Sequence, residues 1–312
     1  MKIIIHYQAK NKKKRKNKVK LYHSTPDRIL TASVWVLLLL IMIVILVPLL
    51  FILASSFSDP SAVSAGKVLL WPVDFSLVGY EAIFQSPSIL RGFINSVEYT
   101  LAGTVISVTL TLFAGYPLSR VDLKIRGPVM FLFTVTMFFS GGIIPLYLII
   151  NTVGIYDSIW AMILPTAVSV YNLIVCRSFF DSNIPDELYD ASKIDGCNDF
   201  DFFFRVAVPL SSTIIAVMLL FYATSIWNSF MNALMFMGTQ DKMPLQVILR
   251  NLVLSNQTSA LTSSGTEVAQ RMKMAEQLKY SIIVVSALPL LVAYPFVQKY
   301  FAKGVLMGAV KG

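Results

Sequence analysis

The stretch ILTASVWVLLLLIMIVILVPLLFILASSF, residues Ile29 to Phe57, contains no charged side chain, and its few hydroxyl residues sit near its two ends. A helical run of about 20 apolar residues crosses the hydrocarbon of a bilayer. Hydrocarbon offers backbone N–H and C=O groups no partners, so such a segment must be a helix that closes its own hydrogen bonds. Before it stand Lys12, Lys13, Lys14, Arg15, Lys16, Lys18 and Lys20, an arrangement that imitates a secretory signal. The apolar run is about twice as long as a signal core, so it is read as an uncleaved first span.

Working outward, five further segments have the same character: Phe93 to Leu118, Pro128 to Tyr156, Ser158 to Cys176, Val206 to about Leu234, and Tyr280 to Gln298. The expectation is an all-α integral membrane protein with about six transmembrane helices, multi-pass in the lipid bilayer. Composition agrees, with 56% hydrophobic and 14% charged residues where soluble domains carry about 25% charged. The prolines inside the runs, Pro48, Pro145, Pro165 and Pro289, are expected to face protein neighbours or cavities. Ser140-Gly141-Gly142 is read as a place where helices pack closely.

Sidedness follows from Lys and Arg. With the N-terminus inside, the inner segments are 1 to 28, 119 to 127 (Arg120, Lys124, Arg126), 177 to 205 (Arg177, Lys193, Arg205) and 299 to 312 (Lys299, Lys303, Lys311), which puts both termini in the cytoplasm by the positive-inside rule. The domain plan is a basic cytoplasmic tail, 1–28, and a transmembrane domain, 29–312, with a cytoplasmic C-terminal tail, 299–312. The net charge of +9 resides mainly in the first 28 residues. No folded module with base-stacking aromatics accompanies it, so the reading is no nucleic acid but a tail that orients the first helix and meets anionic lipid. Glu98, near the outer end of the second span, is read as reaching interfacial water.

Several chemistries find no residues. The two cysteines, Cys176 and Cys197, imply no disulfide framework. Both histidines, His6 and His23, lie in the basic tail, and no Ser-His-Asp, Cys-His or metal-spaced cluster occurs in the spans, so no catalytic residue and no metal site is expected. No Gly-x-x-x-x-Gly-Lys-Ser/Thr phosphate loop exists, so no cofactor is expected on this chain.

The inner loop 183–205 departs from this bland picture. Residues 183 to 210 read NIPDELYDASKIDGCNDFDFFFRVAVPL. Pro185 suits a first helical position, Asn183 can cap just before it, and Asp186 and Glu187 complement a helix N-terminus. Leu188, Ala191 and Ile194 or Asp195 recur at helical spacing as one small apolar face bordered by carboxylates, and Gly196 permits a turn. Such a helix suits docking into a groove on another protein; lying on lipid is the alternative, against which the acidic face argues, because the inner leaflet is itself negative.

This loop resembles the signature loop of the permeases of ABC importers: Glu-Ala-Ala, three residues, Gly, nine residues, Ile-x-Leu-Pro. Here Asp190-Ala191-Ser192 is followed by Gly196 and then by Val206-Ala207-Val208-Pro209 at the same spacing, with Asp for Glu and Ser for the second Ala. The runs FSGGIIPLYLIINTVGIYDSIWAMILP, SIWNSFMNAL, PLQVILRNLV and QKYFAKGVLMGAVKG are similar to the sugar-importer branch, specifically the maltose-importer-like second permease of polysaccharide and oligosaccharide systems. The resemblance spans roughly residues 28 to 312. It implies a type I ABC-importer permease fold in a bacterial cytoplasmic membrane. The partners it implies are a second, different permease, two ATPase subunits that hydrolyse ATP, and an extracellular or periplasmic solute-binding protein that delivers a sugar. It implies a coupling helix formed by Asp186, Glu187, Asp190, Ala191, Ser192, Asp195, Gly196 and Cys197, and contact of Lys303 to Gly312 with the ATPase pair. Tyr222, Trp227 and Asn228 are the candidates for lining the substrate path, because sugars are held by aromatic faces and planar polar groups; interface anchoring is the competing reading for such Trp and Tyr. The alternative function is a secondary transporter driven by an ion gradient, disfavoured by span interiors nearly free of charge.

Overall fold

The computed structural model describes residues 25–252, 277–295 and 298. The N-terminal tail to residue 24, the segment 253–276 and the C-terminal tail 299–312, with Lys303 to Gly312, lie outside the described residues. The chain divides into two compact units, Met1–Phe51 and Ile52–Gly312. Helix α1 (Thr25–Ser56) begins in the first and ends in the second. It has no polar face, the pattern of a helix with apolar surroundings on all sides.

The second unit continues with α2 (Pro60–Ser64), α3 (Val78–Gln85), α4 (Pro87–Ser119), α5 (Arg126–Phe138), α6 (Ile143–Thr152), α7 (Ile159–Ile163), α8 (Val170–Asn183), α9 (Asp186–Ile194), α10 (Asp199–Phe202), α11 (Ser212–Trp227), α12 (Phe230–Phe236) and α13 (Gln277–Pro295). Among the described residues three helices, α1, α4 and α13, are long and apolar enough to cross a membrane unbroken; three bent pairs bring the number of crossings to as many as six.

The bends correct the expectation of continuous third, fourth and fifth spans, and each has a local cause. Between α5 and α6 the chain turns by 115° at Gly142, whose φ of 85° and ψ of 178° suit only a residue without Cβ. A Cβ on Gly141 would approach nothing closer than Pro145 at 3.9 Å, and one on Gly142 would meet nothing. These glycines therefore serve the turn, not the close helix packing expected of them. Pro145 is exposed and needs no neighbour, since it stands in the first turn of α6, where a missing N–H leaves no helical bond unmade. Pro48, inside α1, is exposed as well, and Pro165 and Pro289 are half-buried.

Between α7 and α8 the bend of 54° follows the 3-10 turn Leu164–Thr166, which contains Pro165. The freed N–H of Ser169 donates to the Tyr222 hydroxyl at 3.1 Å, and that hydroxyl is 2.6 Å from Thr111 Oγ1. One buried phenol thus satisfies a backbone group that apolar surroundings would strand. In the fifth crossing a π-turn, Phe203–Ala207, precedes Pro209, and the axis bends by 79° before α11. That crossing ends at Trp227, and α12 is a separate short helix rather than a continuation to Leu234.

Long-range contacts define the two ends of the bundle. At one end Arg120, just beyond α4, pairs with Asp186, and Arg177 Nε donates to Leu118 O at 2.9 Å. At the other, Asn95 and Tyr99 of α4 donate to the carbonyls of Asp241, Met243 and Lys242, and Ser96 Oγ accepts from Leu245 N. There Asp157 accepts from Thr239 Oγ1 at 2.6 Å, Lys242 Nζ at 2.9 Å, and the N–H groups of Gly238 and Thr239. Those hydrogen bonds, the Thr239 hydroxyl first and the Lys242 ammonium next, hold its carboxyl well below the usual carboxylate range. The pair α5–α6 therefore runs from the Arg120 end to the Asp157 end despite its bend, and α7–α8 returns. Helix α4 is the central element, packed against α8 and α11 around Val108, Leu112, Cys176, Phe180, Met218 and Tyr222.

Candidate functional site

At the Arg120 end the chain builds α9. Pro185 (φ −67°, ψ 150°) occupies its N-cap, Asp186 and Glu187 fill the first turn and Lys193 the last, charges that match the helix dipole at both ends. Asn183 is not the cap that its position suggested: it is the last residue of α8, and its Nδ2 folds back to donate to Phe179 O at 2.9 Å, within its own helix. The C-terminus of α9 closes in a Schellman motif, with Gly196 N donating to Lys193 O at 3.1 Å and Cys197 N to Ser192 O at 3.0 Å. The motif needs a left-handed residue, and Gly196 has φ +81°. A new helix starts directly after, where Asn198 Oδ1 accepts from Asp201 N at 2.8 Å as the N-cap of α10.

The two faces of α9 differ from the single apolar face expected. Leu188, Tyr189 and Ser192 point to the protein: Leu188 and Tyr189 pack on the core, and Ser192 is buried with its Oγ donating to Tyr189 O at 2.6 Å. Glu187, Asp190, Ala191 and Asp195 are exposed, and Ile194 is 88% exposed. At 100° per residue Glu187, Asp190, Ala191 and Ile194 share one stripe, so an apolar pair flanked by carboxylates is presented outward. Cys197 is half-buried.

What holds α9 is a network that the spacing of residues does not announce. The Tyr189 ring stands edge-on to Phe202 at 5.2 Å and lies under the Arg120 guanidinium at 4.2 Å. Arg120 Nη1 reaches Asp186 Oδ1 at 2.9 Å with its side chain 12% exposed. The Tyr189 hydroxyl donates to Asp199 Oδ1 at 2.6 Å, which also takes Lys193 Nζ at 2.6 Å. The bond to Asp199 pushes the Tyr189 phenol up, and Asp199 and then Tyr189 push the Lys193 ammonium up. The Lys193–Asp199 pair is exposed to screening water and orients more than it stabilises, whereas aromatic and cation–π contacts each add about 0.5–2 kcal/mol. Tyr189, Arg120 and Phe202 were missed by sequence reasoning. The one available signal was a cation immediately beyond the second span.

Of the substrate-path candidates, Tyr222 is buried and bonded as described above; Trp227 is buried, donates Nε1 to Ser286 O at 3.1 Å and meets Phe93 edge-on at 5.9 Å. Asn228, at the end of α11, is exposed and donates Nδ2 to Thr224 O. Among the described residues no group of three or more His, Cys, Asp or Glu could hold a metal ion.

Among the described residues, helices apolar enough to cross a membrane carry a tethered, outward-facing acidic helix, the arrangement of a multi-pass membrane protein. The chain belongs to the family described as binding-protein-dependent transport system inner membrane component, whose model matches residues 107–307. That family is a transport component, not an enzyme. The chain is 41% identical, over 92% of its length and 99% of the relative, to the polygalacturonan/rhamnogalacturonan transport system permease protein YtcP of Bacillus subtilis (strain 168). It is 39% identical to Protein LplC of the same organism, covering 86% of this chain and 90% of that one. In structure it is similar to a bacterial ABC transporter involved in the import of the acidic polysaccharide alginate, with a TM-score of 0.81, 30% identity, and coverage of 90% of this chain and 99% of that one. The protein is thus a permease of the ABC-importer type; nothing in these comparisons supports an ion-gradient carrier.

Proposed function

We propose that this chain is one of two different permease subunits of an ATP-driven oligosaccharide importer in a bacterial cytoplasmic membrane, with both termini in the cytoplasm. Two ATPase subunits hydrolyse the ATP, a solute-binding protein delivers the sugar from outside, and this chain itself holds no cofactor. The observation that carries the reading is α9, seated through Leu188, Tyr189 and Ser192 and turning Glu187, Asp190, Ala191 and Ile194 outward. An apolar pair ringed by carboxylates suits a cleft with cationic rims on the ATPase. Closure of the ATPase pair displaces α9, and α8 and the fifth crossing, covalently joined to it, swing the bundle between two packed arrangements.

The substrate class rests on relatives. Two of those described handle acidic glycans, polygalacturonan/rhamnogalacturonan in one and alginate in the other, so oligosaccharides bearing uronic acids are the first substrates to test. Asn228 is carried forward as a path-lining residue because it is exposed; Tyr222 and Trp227, both buried, are assigned to holding the crossings together.

The decisive experiment is co-purification from detergent-solubilised membranes. Ala191→Trp sets an indole on the outward stripe of α9; the chain is expected to remain in the membrane while the ATPase recovered with it falls about tenfold, the scale of 1.4 kcal/mol lost at an interface. Undiminished recovery overturns the docking assignment.

A further inference from the structure

Helix α9 is joined by the chain to α8 and α10 but not to α4, the element at the centre of the bundle. We infer that Arg120 is a positioning residue that transmits the displacement of α9 to α4, a second route beside the covalent one; this rests on the reading of α9 as the helix that meets the ATPase.

The geometry of the contact carries the inference. Arg120 is the C-cap residue of α4, its N–H bonded to Pro117 O at 3.1 Å, so its backbone rides with that helix. Its guanidinium touches α9 at two positions three residues apart on one face, Asp186 by an ion pair of 2.9 Å and Tyr189 by a cation–π contact of 4.2 Å. Translation or rotation of α9 therefore drags the guanidinium. A planar, delocalised cation suits this double engagement in a way that a lysine ammonium does not. The Arg120 side chain is 12% exposed but that of Asp186 is 61% exposed, so the ion pair is open to water and the cation–π contact with Tyr189 is the firmer half of the link.

Two further observations fit a contact that changes partners during a cycle. Arg120 Nε and the hydroxyl of Tyr116, one turn back on α4, are both buried with no hydrogen-bond partner. Buried donors are normally satisfied, so these two groups can take up a partner that a displaced α9 brings within reach. A pocket of about 410 Å³, lined by Tyr116, Pro117, Arg120, Tyr189 and Phe203 among others, lies at the same junction and gives the side chains room to move. Arg177 Nε, bonded to Leu118 O, braces the end of α4 against α8, so a pull on Arg120 is resisted by a rigid helix end rather than lost in a loop.

The test uses the whole complex reconstituted in liposomes, with sugar uptake and ATP hydrolysis measured on the same vesicles. For Arg120→Gln, uptake is expected to fall about tenfold further than hydrolysis, within the range that substitutions along a coupling network produce. Arg120→Lys, which keeps the charge and loses the planar fork, should recover part of the ratio. Where Arg120→Gln lowers the amount of complex in the membrane, Tyr189→Leu is read instead, since it removes the ring from the α9 side and leaves residue 120 untouched; the same split is expected. A proportional fall in uptake and hydrolysis, or no change in either, overturns the inference. Failure of the docking assignment itself has a separate signature, undiminished ATPase recovery with Ala191→Trp.

Discussion

Gly196 illustrates how a single backbone angle can carry a signature motif. Its φ of +81° closes α9 through the Schellman bonds, yet a Cβ placed on it would meet nothing within 4 Å. The demand for glycine here is conformational and not one of space within the chain. A non-glycine residue in the left-handed region costs about 1–2 kcal/mol, and asparagine visits that region more readily than others. The expected order of retained sugar-stimulated ATP hydrolysis is therefore Gly196→Asn above Gly196→Ala above Gly196→Val, measured on the reconstituted complex. If asparagine proves as damaging as valine, crowding against a partner, not backbone strain, governs the position. Ser192, which replaces the second alanine of the family pattern, is accommodated for a comparably local reason: its hydroxyl bonds back to Tyr189 O, so burial strands no polar group.

At the level of elements, α9 owes its two faces to neighbours. Its own periodicity grouped Leu188 with Ala191 and Ile194, but the phenol of Tyr189, held by Arg120, Phe202 and Asp199, fixes the rotation of the helix and turns Ile194 out. The contact between α4 and α8 is set by size. A Cβ on Gly115 would lie 3.0 Å from Cys176 Sγ, 3.4 Å from Cys176 Cβ and 3.5 Å from the backbone N of Arg177, so a larger residue must push α8 away. Overpacking of this kind costs about 1–3 kcal/mol. Gly115→Leu should lower the thermal unfolding temperature of the detergent-solubilised chain, while Gly127→Ala, whose Cβ meets nothing within 4 Å, serves as the control. Equal melting of the two variants contradicts the packing seen between these helices.

For the molecule as a whole, the native cysteines give a direct reading of sidedness. Cys197, at the end of α9, is half-buried, and Cys176, inside the bundle, is buried. In membranes containing the chain without its partners, an impermeant maleimide is expected to label Cys197 in inside-out vesicles and not in right-side-out ones, with Cys176 reacting only after denaturation. Labelling of Cys197 from outside reverses the topology and removes α9 from reach of any cytoplasmic ATPase.

Much of this architecture was legible in the residues alone. Hydrocarbon forbids unpaired backbone, so length and apolarity suffice to announce a helical crossing, and the spacing from Asp190 through Gly196 to Pro209 is a local pattern that survives without knowledge of neighbours. The bends at Gly142, Pro165 and Pro209 were hidden because apolar runs read the same whether straight or broken. The seat of α9 was hidden for a deeper reason. Asp186, Tyr189, Asp199 and Phe202 share one loop, but Arg120 comes from the end of the second crossing, and its meeting with them depends on how the second, fourth and fifth crossings pack. Sequence by itself determined the membrane helices and the existence of a small acidic helix, because both follow from solvation and short-range hydrogen bonding. Only the tertiary structure decided which face that helix presents and what grips it from behind, because those are settled by contacts between side chains that folding alone brings within reach.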